Sequence, residues 1–350
     1  MIRRLALFLP VLCAALAPAQ DKPAPNKPVD LLAPFRPMLG TWTGEGTVRF
    51  DPNAEPTGWT ARATFQLCLG GQFVQEDIEL RFAALPTPLA IRGYLGWDAT
   101  RLRHVALVIT SAGEVGLHKV VHLPDGSLLQ VMNQEQMGVP YAERSLFKVD
   151  GDTMTHAVEL LMAEGASIPM VRGTFKRQDA DAAAYAVDPQ TEPFLGMPAH
   201  DDIGRLCRMA GEYDVAGEVV MAPGQPRMKI QGRDRHAAWF GNGVLRAHTL
   251  GSAVGMPGEY ESRAYWAYDK KAGCLRSVYV SSMGEIGEME SYWVGNQLIS
   301  VQTGVMAGQP QAQRFVLEFD ERGVALRGRG HTMYGALEPF ESFVATYTKM

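Results

Sequence analysis

The residues of this 350-residue chain with chemistry to offer come in matched pairs rather than one cluster. Ser111-Ala112-Gly113-Glu114 is echoed by Ser282-Met283-Gly284-Glu285. Such a turn can present a hydroxyl and a carboxylate together, a polar anchor that would orient a ligand. It is equally a tight turn in which Gly takes a positive φ and Ser bonds the local backbone. Tyr94 and Tyr265 recur with these turns, so the candidate ligand-binding set is Ser111, Glu114, Tyr94, Ser282, Glu285 and Tyr265. His118 and His122 stand four apart beside Val120-Val121, a strand-like context. Along a strand their rings would be ~13 Å apart, too far to share a zinc ion, and no metal site is assigned. Gly44-Glu45-Gly46 lacks the third glycine of a dinucleotide loop, and no nucleophile elbow or paired-histidine zinc helix is present. No Ser-His-Asp arrangement is supported in both copies, so no catalytic residue is assigned. Among the 17 Met residues, Met132, Met137, Met162, Met283, Met289 and Met306 either fill core gaps or line an adaptable cavity.

The pairing of motifs extends along the whole chain at an offset of 171. Gly40-Thr41-Trp42 falls on Gly211-Glu212-Tyr213, Gly70 on Gly241, Tyr94 on Tyr265 and Trp97-Asp98 on Tyr268-Asp269. After a one-residue slip, Gly138-Val139-Pro140 meets Gly308-Gln309-Pro310 and Arg144 meets Arg314. Matches in one order over such a length mark a tandem duplication. The expected units are residues 31–177 and 202–350, joined by a linker at 178–201 and preceded by a Pro-rich lead-in at 20–30. Within each unit, alternating segments such as Thr60–Leu67 and Arg314–Phe319 are punctuated by Gly, Pro, Asn or Asp every 8–13 residues. That rhythm predicts eight to ten antiparallel strands per copy and an all-β fold. Closure into two barrels in tandem removes the exposed edges most simply. Asp30–Ala33 and Asp202–Leu206 predict a short helix before each Gly-x-aromatic segment, placed to close one barrel mouth.

Leu39-Gly40-Thr41-Trp42-Thr43-Gly44, Leu69-Gly70-Gly71-Gln72-Phe73, Gly93-Tyr94-Leu95-Gly96-Trp97-Asp98 and Ser111-Ala112-Gly113 carry a resemblance. The opening strand looks like that of calycin-type barrels: lipocalins, fatty-acid-binding proteins and nitrobindin-like proteins. Both copies resemble more closely a bacterial domain family of unknown function. The resemblance implies up-and-down, lipocalin-like barrels, with Gly40, Trp42 and Arg172 closing the first and Gly211 and Tyr213 the second. Arg172 would stack on Trp42, and the second copy offers no Arg between Phe343 and Lys349 for that contact. Nitrobindin-like barrels hold haem through an axial His, which makes His331 near the end of the second copy the candidate for such a cofactor, with His236 and His248 elsewhere in that copy; otherwise none is expected.

Residues 1–19 read as a secretory signal: Arg3 and Arg4, an apolar run from Leu5 to Ala17, then Ala17-Pro18-Ala19. The expected location is therefore periplasmic or extracellular. The run is shorter than the ~20 residues that span a bilayer, and no transmembrane segment is expected in the mature chain. A net charge of −5 gives no footprint for nucleic acid. Cys68, Cys207 and Cys274 remain after cleavage, and small buried thiols are expected, with a Cys207–Cys274 disulfide as the alternative. A barrel of this strand number is filled by side chains or holds one small ligand. Binding of an apolar or amphipathic molecule is the leading expectation. The alternatives are an enzyme with a barrel-interior site and an interaction module with filled barrels. Sequence leaves the oligomeric state open.

Overall fold

The computed structural model describes residues 30–350 except 52–53, 100, 137–138, 163–164, 180–181, 221, 255–257, 307–308 and 336–337. The expected signal segment, the lead-in before Asp30, Cys13 and Met137 lie outside the described residues. The first copy forms β1 (Gly40–Val48), β2 (Thr57–Cys68), β3 (Phe73–Phe82), β4 (Leu89–Asp98) and β5 (Arg103–Thr110). It continues with β6 (Val115–His122), β7 (Leu128–Gln136), β8 (Val139–Asp150), β9 (Thr153–Met162) and β10 (Ser167–Arg177). The second forms β11 (Gly211–Val219), β12 (Met228–Trp239), β13 (Val244–Ala253), β14 (Tyr260–Asp269) and β15 (Cys274–Ser281). It ends with β16 (Ile286–Val294), β17 (Gln297–Met306), β18 (Gln309–Phe319), β19 (Ala325–Tyr334) and β20 (Phe340–Lys349). Each strand pairs with the next, and β10 returns to β1 as β20 returns to β11, closing two antiparallel barrels. The duplication holds at the level of register. Gly40 and Trp42 face Phe65 and Ala63, as Gly211 and Tyr213 face His236 and Asp234.

A short helix closes one end of each barrel. A 3-10 turn at Ala33–Met38 buries Phe35 and Met38, and α1 (Asp201–Cys207) buries Ile203 and Leu206. The ring nitrogen of Trp42 donates to the Met38 carbonyl at 2.7 Å, and the Tyr213 hydroxyl donates to that of Met209 at 2.9 Å. The cation over Trp42 corrects the expectation. It is Arg177, 4.1 Å from the ring centroid, and not Arg172. Strand alternation is the reason: Arg172 pairs with Thr47 on the exposed outer face, whereas Arg177 shares the inward phase of Gly173 and Phe175. The second barrel makes the same closure without an Arg, because Lys349 lies over Tyr213 and donates to the Ala210 carbonyl at 3.0 Å. Gly40 and Gly211, at φ 122° and 142°, begin these strands in a conformation L side chains rarely adopt. A Cβ there would also lie within 3.0 Å of Arg177 or Lys349, so the motif's glycine makes room for the stacking cation.

The barrels pack on each other through outward-facing residues. Phe73, Tyr94, Leu107 and Ile109 of the first join Val244, Tyr265, Val278 and Val280 of the second in one buried cluster. Members of this seam correspond at the repeat offset, the mark of an isologous contact. The open end of each barrel lies beside the helix-closed end of the other: Gly113 neighbours Gly243, and Gly284 neighbours Gln72. The segment expected as a plain linker is strapped into this body. Val187 is buried in the seam, Tyr185 N donates to Thr64 Oγ1, and Phe194 N donates to the Ser111 carbonyl. Cys68, Cys207 and Cys274 are free thiols, the latter two buried. Among the described residues no helix is long and apolar enough to cross a membrane.

Candidate functional site

The six residues singled out by recurrence fall into three roles. Ser111 Oγ accepts from Ala90 N and Ser282 Oγ from Glu261 N, both at 3.0 Å, so each hydroxyl ties its turn to the neighbouring strand. Glu285 accepts a 2.9 Å bond from Ser281 Oγ, and burial pushes its carboxyl up to about 7. Glu114 is exposed at its turn, yet partial desolvation of its carboxyl raises it, with Lys271 of the second barrel opposing the shift. Tyr94 and Tyr265 sit at the seam, where their hydroxyls meet at 2.7 Å. The structure thus joins the two tyrosines to each other, apart from the two turns at the open ends.

The inner wall of the first barrel holds a set that recurrence does not select. Alternation from Val74 to Ile78 turns Glu76 inward, where it is 4% exposed and lies against Gly93. Desolvation, and behind it the Asp77 charge, raise its carboxyl to about 7. Across the barrel, His118, Gln130, Ser145 and His156 point inward from four successive strands. His118 lies near the Gln130 side chain, and His156 Nε2 lies 2.8 Å from Ser145 Oγ while its ring stacks on Phe147 at 4.2 Å. Burial lowers both imidazoles to about 4, so both are neutral at pH 7. Glu143, inward on β8, is raised by desolvation. Several of these inward side chains are only half-buried, so the interior of the closed barrel is open to solvent. On the outer face of the same barrel, an open groove of about 1030 Å³ runs across β1–β3 and β8–β10 and is lined chiefly by outward residues such as Leu146, Arg172 and Thr174.

The second barrel lacks this set. Register places Ala247 where the first has Glu76, Met289 for His118, Phe315 for Ser145 and Gly328 for His156. Met132, Met162 and Met289 do lie in the inward phase of their strands. His331 stands opposite exposed Arg314, while Gly330 beside it shares the inward phase of Phe315. Pointing away from the interior, His331 does not fit an axial ligand inside that barrel. His248 is also outward, 3.0 Å from Glu261 Oε1.

These geometries can be set beside known proteins. Peroxynitrite isomerase 1 of Mycolicibacterium paratuberculosis (strain ATCC BAA-968 / K-10) is 29% identical over 147 residues, 38% of this chain and 88% of that protein. Among solved structures, Rv2717c from M. tuberculosis aligns at 17% identity over 43% of this chain and 98% of its own, with a TM-score of 0.33. The S-type phycobiliprotein lyase CPES from Guillardia theta aligns at 10% identity over 42% and 92%, with a TM-score of 0.30. A family model, described as "Protein of unknown function (DUF1579)", matches residues 31–177, the span from the closing 3-10 turn to the last strand of the first barrel.

Proposed function

We propose that this is an exported protein of calycin kinship whose first barrel binds a small amphipathic molecule, its apolar part along Trp59 and Phe82 and its polar end on the His118–Gln130–Ser145–His156 stripe. The observation that carries this reading is that stripe itself: neutral imidazoles, an amide and a hydroxyl on an accessible inner wall, where a filled core would place aliphatic groups. Ser145→Phe tests it by importing the residue that the second barrel carries. Mass spectrometry of extracts from the natively purified full chain should find one small molecule in near-stoichiometric amount, reduced about tenfold or more in the variant. A wild-type protein that carries nothing, or a variant that carries as much, would overturn the reading.

The name of the curated relatives supports a second reading, isomerisation of peroxynitrite, because Glu76 and His156 set a carboxyl near 7 and a neutral imidazole in one interior. Stopped-flow decay of peroxynitrite should then be accelerated by the protein and slowed in Glu76→Gln; decay at the buffer rate would dismiss it. Export is tested separately. Cleavage after Ala19 makes Gln20 the expected first residue of protein recovered from the periplasm or medium, and a cell-retained chain beginning near Met1 would contradict it.

A further inference from the structure

The inside of the second barrel has its own polar centre, at positions where the first barrel is apolar. Asp234 and His236 point inward from β12, and Trp266 and Ser277 point inward from the paired strands β14 and β15. The matching positions of the first barrel are Ala63, Phe65, Leu95 and Ala106, all members of its hydrophobic core. Asp234 and His236 are 8% and 6% exposed, and Ser277 is 1% exposed. Asp234 Oδ1, both ring nitrogens of His236, Ser277 Oγ and Trp266 Nε1 have no hydrogen-bond partner among the described residues. The nearest approach is Asp234 Oδ2 to His236 Nε2 at 3.7 Å, beyond hydrogen-bonding distance.

Buried polar atoms are ordinarily paired, and each one left without a partner is destabilising. The first barrel fills these four positions with apolar groups, whereas the second places there polar atoms that lack partners. That is the expected pattern where a bound molecule supplies them. Aromatic rings surround the pair. Tyr213 meets the His236 ring edge-on at 5.5 Å and the Tyr347 ring at 6.3 Å. Toward the open end, Phe315 and Phe343 pack at 5.4 Å over Gly328, whose lack of a side chain leaves room for them. Phe315, Phe343, Tyr347 and Trp266 are inward yet half-buried, so the interior above the Asp234–His236 pair is accessible.

We propose that the second barrel is a separate site for a small organic amine. The ammonium donates to Asp234 Oδ1, and the surrounding rings meet its charge with their faces and its apolar body with their surface. His236 and Ser277 supply the remaining acceptors near the head, which a carboxylate ligand could not use beside Asp234.

The test uses the full exported chain and three probes with one apolar body: 2-phenylethylamine, 2-phenylethanol and phenylacetate, titrated calorimetrically at pH 7. The amine should bind about 10- to 100-fold more tightly than the alcohol, with phenylacetate undetectable. Asp234→Asn should remove that preference. Asp234→Ala/His236→Phe installs the first barrel's own residues; it should abolish amine binding and raise the melting temperature, since it removes unpaired buried groups. Ser145→Phe, in the other barrel, should leave amine binding unchanged, which separates this site from the one proposed above. Equal binding of the three probes, no saturable binding (a site holding ordered water alone), or amine binding that survives Asp234→Asn would each overturn the proposal.

Discussion

Asp77→Ala is expected to destabilise the protein by about 3–5 kcal/mol, and the double variant Asp77→Ala/Arg92→Met to recover most of that loss. The ion pair lies in the seam, where Arg92 and Asp77 are 10% and 2% exposed, and it is bidentate: Nε to Oδ1 at 2.6 Å and Nη2 to Oδ2 at 2.8 Å. Gln75 Nε2 donates to the same carboxylate at 2.9 Å and Gln75 Oε1 accepts from Arg263 Nη1 at 2.7 Å, so the bond network crosses between barrels. Trp239 of the second barrel covers the guanidinium at 5.0 Å. Without Asp77 that charge stays buried without its counterion, a far larger penalty than the pair's own net contribution. Arg92→Met removes the charge and keeps most of the volume. Denaturant midpoints of wild type, single and double variants decide the matter; a double variant as unstable as the single would show that the loss is packing, not charge. The duplication supplies an internal control. Arg263 matches Arg92, but His248 stands at the place of Asp77, and the acid is provided instead by Glu261, where the first copy has Ala90. Each copy keeps one acid for its seam arginine, drawn from a different strand.

That exchange explains how much was legible in sequence. Gly40 and Gly211, Trp42 and Tyr213, and the Gly113 and Gly284 turns recur because backbone geometry leaves few residue choices there, so the duplication, the strand rhythm and the closing helices could be read directly. Tyr94 and Tyr265 recur for another reason: they are each other's partners. Residues common to both copies therefore report what the copies share, which is the barrel and the seam. The interior sets are what the copies do not share. Glu76 and His156 on one side, Asp234 and His236 on the other, have apolar or glycine counterparts, and a search for recurrence passes over them. A different signal was available, since Glu76 falls in the apolar phase of Val74 and Ile78, and His156 in that of Met154 and Val158. The mouth cation was missed through the same phase rule, because Arg172 lies one residue out of step with Gly173 and Phe175 while Arg177 lies in step.

Glu76→Gln is expected to stabilise the protein by about 2–3 kcal/mol above pH 7 and to change little near pH 4. In the folded barrel the carboxyl titrates at about 7, raised by desolvation and by Asp77, against about 4.5 in the unfolded chain. Between those values the folded state holds the proton more firmly, so wild-type stability from this group falls as pH rises from about 4.5 to 7, then stays level. Below that window the group is protonated in both states and an amide is a close substitute. His118 and His156 act with the opposite sign: with folded values of about 4 against 6.5, they favour folding above 6.5 and lose that contribution as pH falls toward 4. Wild-type stability alone would therefore blur the two, whereas the difference between wild type and Glu76→Gln isolates the carboxylate. Thermal or urea unfolding of both proteins from pH 4 to 8 gives that difference directly. A gap that is constant across the range, or a variant less stable at pH 8, would mean that the carboxylate is held by a counter-charge rather than pressed unpaired against Gly93. The second barrel argues for the unpaired reading, since at the same two positions it carries Ala247 and Ala264, a pair that fills the space between the strands with two methyl groups and no charge.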